Sequence, residues 1–93
     1  MLDDVKDALR VSGADLDIEI QDLIDAAKAD LRLSGVHASK LVDTDPLIKR
    51  AVVVYCKAHF GWDNPEADRF AQSYAMLKMH LTLSAEYTEA VTP

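Results

Sequence analysis

Three carboxylates, Asp15, Asp17 and Glu19, occupy the first, third and fifth positions of what could open a calcium-binding loop. Such a loop also needs Gly at its sixth position, for a sharp turn, and a bidentate Glu at its twelfth. Ile20 and Ala26 stand there instead, so the carboxylates suit the capping of a helix and not the holding of a cation. His37, His59 and His80 are each more than twenty residues from the next, and none has a second His or Cys at ligand spacing on the same helix. Cys56 is the one cysteine, which excludes an intrachain disulfide. It sits in an apolar stretch with no neighbour in sequence to lower its pKa, and reads as a small buried hydrophobe, not a nucleophile. No glycine-rich phosphate loop, serine nucleophile elbow or paired acid and base occurs. The expectation is a protein without catalytic residues, metal or cofactor.

Contact chemistry is better represented. Trp62 lies in a turn, where it either plugs the end of a core or anchors a protein interface, a setting in which Trp is enriched. Met76 and Met79 can likewise fill a core or make adaptable contacts. Together with Tyr87 these are the candidate interface residues. The segments on either side of Gly61–Asn64 could be misread as a helix-turn-helix. The second helix would then present Glu66 and Asp68 to DNA at its N-terminal end, where phosphate repels them, so no sequence-specific nucleic acid is expected as a partner.

Helices must position these groups. Leu2 to Val11 carries Leu2, Val5 and Leu9 at helical spacing, with Asp3 or Asp4 to cap its start and Ser12-Gly13 to end it. A second helix over 16–34, capped by Asp15 or Asp17, has Leu16, Ile20, Leu23, Ile24, Ala27 and Leu31 on one side and acids mostly on the other, and Gly35 stops it. Residues 36–44 lack periodicity and read as a loop. Asp45-Pro46 signals the start of a third helix over 46–60, since Asp caps and Pro fits the first turn. Val52-Val53-Val54-Tyr55 favours a strand by propensity. The capped start, the bases Lys49, Arg50 and Lys57 and the length of the run favour a helix that is apolar nearly all round. Asn64-Pro65 repeats the start signal for a fourth helix over 65–83. Residues 84–93 have no stripe and read as a flexible tail. The fold class is all-α, a small bundle of four helices with a mobile C-terminal tail. Its core is expected to hold Leu23, Ile24, Ala27, Ile48, Val52, Tyr55, Phe70, Tyr74 and Leu77.

Composition agrees with one small domain. The chain has 93 residues, 49% hydrophobic and 28% charged, with only three Gly and three Pro, which disfavours a many-turned β fold. Sixteen acids against ten bases give a net charge of −6, unfavourable for binding duplex phosphate. The imbalance lies wholly in residues 1–45, with 11 acids and 5 bases, while 46–93 hold 5 of each. One face is therefore expected to be negative. No apolar run approaches a membrane span, and no basic, apolar leader opens the chain, so a soluble intracellular protein with no membrane partner is expected.

Several stretches, taken in order, resemble the head-to-tail connector or adaptor proteins of tailed bacteriophages and prophages. They are Asp4-Val-Lys-Asp-Ala-Leu-Arg-Val11, Leu23-Ile-Asp-Ala-Ala-Lys28, Asp45-Pro-Leu-Ile-Lys49 and Lys57-Ala-His-Phe-Gly-Trp-Asp-Asn-Pro65, followed by Arg69-Phe70 and Ser73-Tyr-Ala-Met-Leu-Lys78. The resemblance covers residues 2 to about 84, and each piece is mostly capping and core. It implies a connector domain, placed over 1–84 ahead of the flexible tail 85–93 that the missing stripe indicates, and it lends no catalytic residues. It further implies a ring of copies, dodecameric in the virion, that binds beneath the portal protein after DNA packaging. That ring would extend the DNA channel and receive a stopper or tail-completion protein. The place implied is the head–tail junction of the virion, after a stage in the bacterial host cytoplasm. The loop 36–44 and the tail would order on docking. The rival readings are a small acidic helical module that inhibits a basic partner protein, and an enzyme subunit whose site is shared between chains.

Overall fold

Asp45-Pro46 starts a helix as the sequence predicts. Asp45 Oδ1 accepts hydrogen bonds from the backbone N–H groups of Leu47 and Ile48, at 2.9 and 3.2 Å. Pro46 takes the first helical position, where an N–H would have no partner. The computed structural model, which describes residues 1–61 and 64–90, has five α-helices and no strand among those residues. They are α1 (Leu2–Leu9), α2 (Asp17–Ser34), α3 (Pro46–His59), α4 (Ala67–Thr82) and α5 (Ala85–Thr88), with a single 3-10 turn at Ala38–Lys40. The valine run is helical because α3 lies at the centre, packed against α1, α2 and α4, and burial there outweighs a strand propensity worth at most about 1 kcal/mol.

The core follows from that placement. Val5 of α1, Ile20, Ile24, Ala27 and Leu31 of α2, and Ile48, Ala51, Val52, Val54 and Cys56 of α3 are buried together, with Tyr74 and Leu81 of α4 closing over them. Each fully buried Ile contributes about 1.5–3 kcal/mol relative to an exposed one. Of the residues expected in the core, Ile24, Ala27, Ile48, Val52 and Tyr74 are buried. Leu23, Tyr55, Phe70 and Leu77 are half-buried and pack against it.

Several local expectations need correcting. α1 stops at Leu9, not near Ser12-Gly13, because Arg10 takes the left-handed conformation itself (φ 58°) and its N–H bonds the Asp7 carbonyl. No side chain caps α2; Asp17 is its first residue and forms an ion pair with Lys6 of α1 at 2.7 Å. That pair fastens the first two helices together, which a contact eleven positions apart could not reveal before the fold was known. α4 begins at Ala67, not at 65, since Asn64 forms a turn of its own. Its Oδ1 accepts from Glu66 N–H at 3.1 Å, and its Nδ2 donates to the Lys57 carbonyl at 2.6 Å.

The largest difference is at the C-terminal end. Residues 85–88, expected within an unpatterned tail, form α5, and Tyr87 is only 7% exposed. The loop meets it: His37 N–H donates to the Tyr87 carbonyl at 2.9 Å, and the Tyr87 hydroxyl donates to Asp45 Oδ1 at 3.3 Å. Val36 is buried in the same region. One aromatic side chain thus folds a segment too short to show a stripe.

Candidate functional site

Helix α4 turns Tyr74 and Leu81 to the core, with Phe70, Leu77 and Lys78 half-buried beside them. At about 100° per residue, Met76, Met79 and Leu83 fall on the opposite side. They are 59%, 50% and 80% exposed. Between Phe70 and Leu83 the only Asp, Glu, Lys or Arg is Lys78, and it turns inward to Asp30. From Ser73 onward the outer face of α4, continued by its C-cap residue Leu83, is therefore a strip nearly three turns long without Asp, Glu, Lys or Arg that carries three large apolar side chains, with the exposed Asp68 and Arg69 in the turn before it. Two of the four candidate interface residues, Met76 and Met79, lie on it. Tyr87 is held inside the fold, and Trp62 lies outside the described residues. Leu83 had gone unmarked because it sits where the helical stripe gives way to the tail.

Asp30 fixes how α4 lies against α2. Asp30 Oδ2 accepts from the Tyr74 hydroxyl at 2.6 Å and from Lys78 Nζ at 3.1 Å. The Tyr74 ring meets Tyr55 edge-on, with centroids 5.1 Å apart, and Tyr55 stacks on His59 at 4.3 Å. Burial raises the pKa of Asp30, but the hydrogen bonds from Tyr74 and Lys78 and the Lys78 charge outweigh it, so the carboxyl titrates below the usual value. Burial, and then the Asp30 carboxylate, push the Tyr74 hydroxyl far up, keeping it a donor. Burial likewise pushes the Cys56 thiol up to about 11, in keeping with a core role.

A lowered folded-state pKa means that ionised Asp30 stabilises the fold above its unfolded pKa, and that this contribution is lost as pH falls through the folded value. Asp30→Asn is expected to be less stable than wild type at pH 7, with the gap closing as pH drops below about 4. Urea unfolding at a series of pH values checks this. A gap independent of pH would mean that the Asp30 charge contributes nothing.

The acids lie elsewhere. Glu19, Asp22 and Asp25 are exposed on the side of α2 away from its buried residues, beside the exposed Ile18 and Leu33. Among the described residues no group of three His, Cys, Asp or Glu is placed to hold a metal ion, no pocket is enclosed, and no helix is long and apolar enough to cross a membrane.

A helical bundle whose chemistry lies on its outer faces, an uncharged strip on one helix and acids on another, has the surface of an assembly protein. Residues 1–88 match the family model described as phage connector protein, and the chain belongs to that family. It is a family of structural phage proteins of the head–tail junction, and association with other head and tail proteins comes with membership. No curated protein and no solved structure matches the chain.

Proposed function

We propose that the protein is a ring-forming adaptor, dodecameric in the virion. It attaches beneath the portal protein once DNA is packaged, extends the DNA channel, and receives the stopper or tail-completion protein. The observation that carries this reading is the family match over residues 1–88, which takes in every helix of the fold. Two physical features support it. A channel wall should let DNA slide and not adhere, and a net charge of −6 concentrated in α1, α2 and the following loop repels phosphate. The same charge repels free copies from one another, so the isolated protein should stay monomeric or weakly associated at low salt and close into a ring where the portal supplies a template. Added salt should favour closure by screening over about 10 Å at 0.1 M.

The test uses DNA-filled heads that carry portal but lack this protein. The protein is expected to co-sediment with these heads and to appear as a closed ring at the portal vertex in averaged electron micrographs, while heads without portal take up none. Failure to associate with portal-bearing heads at any salt concentration overturns the reading.

A further inference from the structure

Helices α2 and α4 run in the same direction, and their relative height is fixed at two points. Asp30 meets Tyr74 and Lys78, and a Cβ built on Gly35, just beyond α2, would lie 3.9 Å from the Thr82 methyl. At equal rise per residue, Asp22 is then level with Arg69 and Ala29 with Met76, and Leu33 is within one residue, about 1.5 Å, of Met79. All six side chains are exposed. Both helices pack on α3, and at about 100° per residue these six positions lie away from the buried residues of their own helix.

We propose that neighbouring copies in the ring meet through these two rows, the outer face of α4 on one copy packing against the outer face of α2 on the next, with the ring axis running along both helices. This rests on the ring reading above. A cyclic ring is generated by rotation alone, which moves nothing along its axis. Residues level within one chain are therefore level across the contact, and the helices stay parallel. Met76 then faces Ala29, a long flexible side chain against a small one, which lets the helices approach closely. Met79 covers Leu33, which is 88% exposed in the single chain. Arg69, which pairs with Glu66 at 3.0 Å within its own chain, lies opposite Asp22 and can reach across to it with its remaining guanidinium N–H groups.

Charge and symmetry together disfavour the two like-on-like pairings open to a second copy. Packing α2 on α2 would bring Asp22 and Asp25 against another acidic face. Packing α4 on α4 brings no such clash, but a two-fold contact of that kind closes at two copies. Packing α4 on α2 sets Asp25 against the neutral strip and Asp22 near Arg69, which within its own chain pairs with Glu66 at 3.0 Å and has the exposed Asp68 beside it, and it leaves both faces free to propagate.

Charge exchange tests it. On portal-bearing heads, and by sedimentation velocity over a range of protein and salt concentrations, Met76→Asp should weaken assembly about tenfold or more. Its far-UV spectrum should be unchanged, because Met76 is 59% exposed in the single chain. Asp22→Arg and Arg69→Asp should each weaken assembly, and the double variant, which restores opposite charges, should recover to within about twofold of wild type. Wild-type rings that Met76→Asp joins equally well, or single reversals that the double does not rescue, overturn the interface and leave the ring reading standing. Wild type that forms no ring under any condition removes both.

Discussion

Replacing Tyr74 with Ala should destabilise the domain by about 3–5 kcal/mol, the range for removing a large aromatic from a core. The ring is 6% exposed, lies edge-on to Tyr55, and has Lys78 Nζ 5.4 Å from its centroid. Its hydroxyl makes the short bond to Asp30. Truncation opens a cavity where α2, α3 and α4 meet and removes one of the two donors on Asp30. A chain of this length has total stability on the order of 5–10 kcal/mol. The melting temperature should accordingly fall on the order of 15–30 °C. Tyr74→Phe separates the two contributions: it keeps the ring and loses only the hydrogen bond to a charged acceptor, costing about 1.5–3 kcal/mol. Urea unfolding monitored by circular dichroism measures both. A loss under about 1 kcal/mol for the Ala variant would show that the core does not depend on this ring.

Deleting residues 85–93 should cost about 2–4 kcal/mol while changing helix content very little. The sequence alone leads one to expect a tail whose removal spares the fold. The structure alters that expectation, because the deletion takes away the buried Tyr87 ring and uncovers Val36 and the end of α4 around Leu81. It also frees the His37 N–H and withdraws a donor from Asp45. Because α5 is only four residues long, the spectrum should barely change while the urea midpoint moves down. Tyr87→Ala should reproduce most of the shift and Tyr87→Phe little of it, since the hydroxyl bond at 3.3 Å is long. An unchanged midpoint in the deleted protein would mean that α5 adds nothing to stability.

What could be read beforehand was whatever depends on neighbours in sequence. Asp45 capping α3 and Gly35 ending α2 with φ 124° are decided within a few residues. The helical stripes of α2, α3 and α4 needed only their period. What stayed hidden depends on partners brought together by the fold. Lys6 claims Asp17, Arg10 bends left-handed where a glycine was expected, and a single Tyr87 anchors a helix too short for any periodicity to register. The contact face was half legible in the same way. Met76 and Met79 lie off the core stripe of α4, which marks them as outward-facing. That they stand within one residue of the height of Ala29 and Leu33 depends on the Asp30 contacts, which link residues 44 and 48 positions apart.

The central position of α3 also sets an order of events for the folding chain. Val5, Ile20, Ile24 and Leu31 have little apolar surface to pack on until α3 exists, so α1 and α2 should stay largely unformed while residues 1–45 emerge from the ribosome. Once α3 is complete, its contacts with α2 and α4 join helices adjacent in sequence. Such local topology belongs to the microsecond-to-millisecond folders. The nucleus should then form around Ile48 and Val52 with Ile24. The Asp45–Tyr87 contact closes a loop of 42 positions and should form last, so substitutions at Tyr87 should speed unfolding and leave the folding rate nearly untouched.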